Sequence, residues 1–247
     1  MKTIRKIALV TGVSREEGIG FGISKELASQ DFDVVITARN KSVVEELSKK
    51  IGTNDNLIIA EELDITNEQS VSDLAEFVKE RFQRLDVLIN NAGAGFDFGV
   101  HPLETEFNNT KDTLDVNLFG AWRMVKDFYP LLQRSEQARI VNISSGAGSF
   151  GDPIFGLGVH PTVVTSYGIS KLALNGLTVK LARQFNEAGD KIKVNSICPG
   201  FVATYKGTAE MGARPVSEAV DGIIWAATLP KDGPTGKFFR DKEPLSW

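Results

Sequence analysis

The sequence is poor in cysteine, in histidine and in long apolar runs, and each shortage narrows what the chain can be. Its single thiol, Cys198, excludes an internal disulfide and suits a reducing compartment, where it reads as a small buried residue. The two histidines, His101 and His160, fall in loop-like segments and read neither as catalytic bases nor as metal ligands, so no metal site is expected. No apolar run approaches transmembrane length. The opening MKTIRKIALVTG has a basic start, but its short apolar run leads straight into a glycine turn, which fits a first strand better than a signal peptide. The expected location is the cytoplasm, with no membrane partner. Positive charge is not in excess either. Lys and Arg total 28 against 32 Asp and Glu, a net charge of −4, so no nucleic-acid partner is expected and any anion site must be local. There is no Pro/Ser-rich linker, low-complexity tract or repeat at which to divide the chain.

What is present is ordinary globular composition, 42% hydrophobic and 24% charged over 247 residues, enough to bury a core without staples. Runs rich in Ile and Val recur at Lys6–Val10, Asp33–Thr37, Leu57–Ile59, Val87–Ile89, Arg139–Ile143 and Lys193–Ile197, without the alternation of a half-exposed sheet. Helical spacing fills the intervals at Ile23–Ser29, Val43–Lys50, Val71–Phe82, Thr113–Leu132 and Tyr167–Asn186. Parallel strands joined by right-handed helical crossovers put helices on both faces of the sheet. The predicted fold is α/β: a Rossmann-type doubly wound parallel sheet in a three-layer α/β/α sandwich, one domain over residues 1–247. Two loops, Gly146–Thr165 and Phe201–Pro215, follow strand ends, where ligands bind in such sheets.

The first strand runs into TGVSREEGIG, where Gly12, Gly18 and Gly20 allow a tight turn and a close approach to a diphosphate, with a helix N-terminus behind it. Glycines alone fit a ligand-free strand-to-helix turn equally well. The second strand ends in Thr37, Ala38 and Arg39 rather than in the acidic residue that binds a ribose diol. Arg39, with Arg15 as a second clamp, suits an adenosine 2′-phosphate, which points to NADP(H) over NAD(H). Further on, SYGISK sets Tyr167 and Lys171 four positions apart on one helix face. An ammonium there would favour the phenolate and bring the proton exchange of Tyr167 nearer neutral pH.

Taken in order, the glycine turn, NNAG at Asn90–Gly93, DVNLFG around Asn117, VNISSGAG around Ser145, the Tyr167–Lys171 pair and PGFVAT at Pro199–Thr204 resemble the short-chain dehydrogenase/reductase family over nearly the whole chain. The turn departs from the family's TGxxxGxG by two residues, having Val13–Glu17 where the pattern has three; Glu16 and Glu17 should point away from the phosphates. The resemblance implies that Asn117, Ser145, Tyr167 and Lys171 form the catalytic set. Ser144 is the competing serine, and alignment selects Ser145. The cofactor would be held by Gly12, Ser14, Arg15, Gly18, Ile19, Gly20 and Arg39. Asp64 and Ile65 would face adenine, followed by Asn91, Ala92 and Gly93, with Tyr167 and Lys171 at the ribose. Pro199, Gly200, Val202 and Thr204 would lie at the carboxamide. By the same resemblance, Ser145 would hold the substrate oxygen, Tyr167 would protonate it, and Asn117 would position a water that links Lys171 to solvent.

Ser145 and Tyr167 are 22 positions apart, more than in compact members of the family. The extra residues supply an apolar wall from Phe150, Pro153, Ile154, Phe155, Leu157 and Val159, or alternatively a small satellite core. That insertion and the tail GKFFRDKEPLSW look like the carbonyl-reductase branch, which implies a small apolar or aromatic aldehyde, ketone or quinone as partner. The alternatives are a 3-oxoacyl-thioester reductase of the same family and a non-catalytic NADP(H)-binding regulator. The long middle helices imply a homo-oligomer, a dimer or a tetramer.

Overall fold

The computed structural model describes residues 5–52, 55–160 and 162–247; the basic start before Arg5, and Pro161 in the loop before Tyr167, lie outside the described residues. Strands β1 (Lys6–Val10), β2 (Phe32–Ala38), β3 (Ile58–Glu62), β4 (Val87–Asn90), β5 (Arg139–Ile143), β6 (Lys193–Ile197), β7 (Phe238–Arg240) and β8 (Glu243–Pro244) form one sheet in the order β3-β2-β1-β4-β5-β6-β7-β8. All pairs are parallel except β7–β8. The order reverses between β1 and β4, the switch point beyond whose strand ends ligands bind in open α/β sheets.

The described residues contain seven α-helices, α1 (Ile19–Ser29), α2 (Lys41–Lys50), α3 (Glu68–Phe82), α4 (Phe107–Leu114), α5 (Ala121–Leu132), α6 (Thr165–Ala188) and α7 (Val216–Ala227), of which α4 packs on α6. Alternate strand residues supply two cores. Leu9, Leu88 and Ile140 pack with Phe128 of α5 and Phe185 of α6, whereas Val10, Ile89 and Val141 pack with Ile23 of α1 and Ile223 of α7. Both faces are covered, which is why these strands read as continuous apolar runs and not as alternating ones.

The predicted boundaries shift where side chains carry no periodic signal. Strand β3 extends past Ile59 because Ala60, Glu61 and Glu62 continue the ladder opposite Ile36, Thr37 and Ala38, and as an edge strand it tolerates charge. Helix α3 starts at Glu68, ahead of the apolar Val71, because Asn67 caps it by accepting from the N–H groups of Gln69 and Ser70. The helix predicted from Thr113 starts instead at Phe107, since FNNTKDTL buries only Thr113. Between α4 and α5 the chain makes a π-helical turn, Asp115–Gly120, which contains Asn117. Such an inserted turn redirects a side chain that regular α-helical winding would place elsewhere. The tail adds the two short strands β7 and β8, so the sheet does not end at β6 and is not wholly parallel.

Candidate active site

Asn117 lies in the π-helical turn and Tyr167 and Lys171 on α6, whereas the other residues singled out from sequence lie in the segments that directly follow β1 to β6; the structure arranges them in two groups. The first surrounds the turn after β1. Gly12 has φ of +74°, and a Cβ there would lie 2.6 Å from the Ala92 backbone, so no side chain fits. Asn91 braces this turn. Its Nδ2 donates to the Thr11 and Gly12 carbonyls at 2.7 and 3.2 Å, while the Asn91 and Ala92 N–H groups both donate to Thr11 Oγ1 at 3.0 Å. Gly18 caps α1 without a side-chain hydrogen bond, and Ile19 and Gly20 begin the helix. The two additional residues bulge outward. Glu16 points away from the turn and pairs with Lys50 of α2 at 2.7 Å, while the Gly18 N–H closes on the Arg15 carbonyl at 3.2 Å.

Ser14 and Arg39 are exposed, and no hydrogen bond or ion pair engages Arg39 among the described residues. Arg15 lies over the ring of Tyr205, with its guanidinium carbon 3.9 Å from the ring centroid, and so links the glycine turn to the loop after β6. Burial pushes the carboxyl of Asp64 up, but hydrogen bonds from the Thr66 hydroxyl and N–H, with Arg39 nearby, outweigh it and hold Asp64 below the usual carboxylate range. Ile65 turns its side chain into the core, so that only its backbone remains at the crevice.

The second group is centred on α6. Ser145, at the end of β5, accepts from the Ala147 N–H at 3.2 Å, and its hydroxyl neighbours that of Tyr167. Ser144 faces elsewhere, its Oγ reaching the Lys171 carbonyl at 3.5 Å. Lys171 is 4% exposed; its Nζ donates to the Ile143 carbonyl at 2.9 Å and sits 5.5 Å from the centroid of the Tyr167 ring. Asn117 Oδ1 accepts from the Ala94 N–H at 2.8 Å, and its Nδ2 donates to the Ala94 carbonyl and Ser170 Oγ at 2.7 and 2.8 Å. Gly93 lies between these two residues: a Cβ there would come within 3.3 Å of Asn117 Oδ1 and 3.5 Å of Lys171 Nζ.

The electrostatics correct one expectation. Desolvation pushes Tyr167 up to about 12 even though the neighbouring Ser145 hydroxyl works the other way, and burial pushes Lys171 down to about 8. Desolvation dominates at both groups and favours their neutral forms, so the phenol is not brought towards neutrality.

After β6, Pro199 and Gly200 turn the chain, and Val202 bridges to Arg214. Arg214 was not singled out from sequence. Its Nε donates to the Pro199 carbonyl at 2.8 Å while Nη1 pairs with Asp241 at 2.6 Å, which anchors the turn. Thr204 stands half-exposed beyond it, its N–H on the Val202 carbonyl at 2.8 Å. Cys198 is buried as expected, but it also accepts from the Gly146 N–H at 3.2 Å and from Arg240, which is paired in turn with the buried Asp152. These contacts join residues tens of positions apart and leave no spacing to detect.

In the loop before α6 the apolar side chains are not buried together as a satellite core would be, with Phe155 and Leu157 half-buried and the others exposed. Phe150, Ile154 and Val159 are exposed, and Phe98 from the loop after β4 adds a ring 5.8 Å from that of Tyr167. His160 bonds within its own loop to Thr162, and among the described residues no group of His, Cys, Asp and Glu could hold a metal ion. Nor is any described helix long and apolar enough to cross a membrane.

Comparison with known proteins matches residues 6–212 to the model of the short chain dehydrogenase family. The chain is 31% identical to NADPH carbonyl reductase 1 of Mus musculus, with 100% of each chain covered. It is also 31% identical to (+)-neomenthol dehydrogenase of Arabidopsis thaliana, covering 96% of this chain and 97% of that one. Among solved structures, the NADPH-bound carbonyl reductase from chicken fatty liver superposes with a TM-score of 0.82 at 26% identity, over 99% of each chain.

Proposed function

Because this chain belongs to the short-chain dehydrogenase family and is an oxidoreductase, we propose that it reduces a ketone, aldehyde or quinone carbonyl to the alcohol with NADPH, using Ser145, Tyr167, Lys171 and Asn117. The observation that carries this reading is buried Lys171 one helical turn along α6 from Tyr167, its Nζ 5.5 Å from the Tyr167 ring centroid, with the Ser145 hydroxyl beside that of Tyr167. The crevice suits the cofactor. Its glycine turn is braced and too crowded for a side chain, and the uncapped start of α1 and unpaired Arg39 are suited to phosphate oxygens. Asp64 and the Ile65 backbone would border adenine, and Val202 and Thr204 the carboxamide.

NADPH supplies the hydride that goes to the carbonyl carbon. Tyr167, pushed up to about 12, holds its proton at neutral pH and would give it to the oxygen on which negative charge develops, because an alkoxide is a stronger base than the phenolate. Ser145, whose hydroxyl neighbours that of Tyr167, would hold the same oxygen in line. The Lys171 ammonium stabilises the phenolate left behind, and because burial brings it down to about 8 it can hand on a proton near neutral pH. Asn117 ties the segment after β4 to α6 and would seat the water through which Lys171 is reprotonated.

Phe98, Phe150, Ile154 and Val159 favour a small apolar or aromatic substrate. Residues 1–247 would act as one NADP(H)-binding unit in the cytoplasm, and exposed Phe119, Trp122 and Ile169 on the middle helices favour a homo-oligomer, to be read by light scattering. The test of the activity is NADPH and NADH oxidation with aromatic aldehydes, diketones, quinones and a 3-oxoacyl thioester, with Tyr167→Phe as control. NADPH-dependent turnover of carbonyls that falls about 10²- to 10⁴-fold in Tyr167→Phe is expected. Preference for the thioester would move the assignment within the family, and tight NADPH binding without turnover would make the protein a regulator.

A further inference from the structure

Helix α6 carries both Tyr167 and Lys171, yet it begins with no cap of its own. Its N-cap position is the apolar Val164, which makes no side-chain hydrogen bond, and no acidic residue lies in its first turn. A helix start leaves N–H groups without intrahelical partners, and this first turn contains Tyr167. The first bond along the helix is from the Gly168 N–H to the Val164 carbonyl at 2.7 Å. The Ser166 N–H, immediately before Tyr167, donates instead to Asp97 Oδ2 at 3.1 Å, across a separation of 69 residues.

Asp97 stands in the loop after β4 and is 2% exposed. It makes no salt bridge among the described residues, and its other carboxylate oxygen is buried without a partner among them. Ion pairing therefore does not account for it. A carboxylate at a helix N-terminus is favoured both by the free N–H groups and by the helix dipole. The same loop is fastened to the start of α6 by two further contacts, the Gly99 N–H on the Val163 carbonyl at 2.8 Å and Thr165 Oγ1 on the Val100 carbonyl at 2.8 Å, and α4 adds a third through Thr110 Oγ1 with Ser166 Oγ at 2.7 Å. Asp97 alone among these takes an N–H of the helix. Its neighbour Phe98 lays its ring 5.8 Å from that of Tyr167, tilted by 37°.

We propose that Asp97 is a positioning residue for the reaction: capping α6 from another loop, it sets the Tyr167 hydroxyl against Ser145 and Phe98 beside Tyr167 as one wall of the substrate mouth. The proposal rests on the reading of Tyr167 as proton donor. A small displacement of a reacting group far outweighs the energy of the bond that prevents it, since a misplacement of about 1 Å costs on the order of 10²-fold in rate.

The experiment compares wild type, Asp97→Ala and Asp97→Asn in kcat and KM for a carbonyl substrate, in NADPH affinity by fluorescence titration, and in hydrogen exchange over residues 163–170. Asp97→Ala is expected to lower kcat roughly 10- to 100-fold and to speed exchange at 163–170, with NADPH affinity within about twofold of wild type. Asp97→Asn, which keeps an acceptor oxygen, is expected to recover most of both losses. The inference is overturned if Asp97→Ala leaves kcat and local exchange unchanged, if Asp97→Asn is as impaired as Asp97→Ala, or if exchange rises throughout the sheet together with a loss of NADPH affinity. Absence of carbonyl turnover in the wild type would instead sink the enzymatic reading, and exchange at 163–170 would still decide whether Asp97 holds the turn that carries Tyr167.

Discussion

The two ends of the crevice are built differently. At the glycine turn, the backbone is rigid but the polar side chains are loose: Ser14 and Arg39 are exposed, and Arg15 rests only against the ring of Tyr205. Around α6, in contrast, Ser145 neighbours Tyr167, Asn117 makes three hydrogen bonds at 2.7 to 2.8 Å, and Lys171 is buried on the Ile143 carbonyl. Groups that bind an anion gain their partners from the ligand and can wait in water. Groups that transfer a proton must already be in place, because every misplacement is felt in the barrier. Substitutions should therefore divide cleanly, with kcat moving at the α6 end and cofactor affinity at the glycine end.

The largest effect is expected between neighbouring serines. Ser145→Ala removes the hydroxyl that meets Tyr167 and should lower kcat about 10²- to 10³-fold at saturating NADPH, whereas Ser144→Ala should stay within about threefold. Steady-state kinetics decide this, and the opposite ranking would place the substrate oxygen at the wrong serine. At the other end, Arg39→Ala removes charge-assisted hydrogen bonds to a 2′-phosphate and should raise KM for NADPH about 10- to 100-fold with little change for NADH. An equal rise for both cofactors would remove Arg39 from the phosphate site.

Burial of the α6 end should also appear in stability. Folded Lys171 releases its proton at about 8, while the unfolded chain holds it to the ordinary 10.5. The unfolded state thus binds more protons between those values, and the site's contribution to stability must rise with pH across that window. The slope expected is roughly 1 kcal/mol per pH unit, taken as wild type minus Lys171→Met in denaturant melts from pH 7 to 10. A difference that stays flat would mean that Lys171 is better solvated than the geometry indicates.

How far the sequence foretold this molecule follows the same division. The six long strands were legible because both faces of the sheet are buried, and β7 and β8 were not because FFR and EP are too short to carry a pattern. Backbone-dictated features such as Gly12, and the four-residue spacing of Tyr167 and Lys171, stand out in the sequence because local geometry demands them. Asp97, Arg214 and the contact of Arg240 with Cys198 do not, since each acts across a loop on a residue with which it shares no period. The effect of Lys171 on Tyr167 was misjudged for a related reason. Spacing gives proximity, whereas the direction of a pKa shift depends on how much water the fold removes.

The smallest effect tests whether the glycine end is as loose as it looks. Arg15 and Tyr205 come from opposite sides of the cofactor crevice, the turn after β1 and the loop after β6, and their stacking is the contact that closes one over the other. Tyr205 is 66% exposed, so the pair has the modest worth of a solvated cation–π contact, about 0.5–1 kcal/mol. If this contact slows cofactor release, Tyr205→Ala should raise the NADPH dissociation rate roughly two- to fivefold in stopped-flow fluorescence, and Tyr205→Phe, which keeps the ring, should not. A Tyr205→Ala rate equal to wild type would mean that Arg15 is held by its own turn, and that its proposed service to the 2′-phosphate owes nothing to the loop after β6.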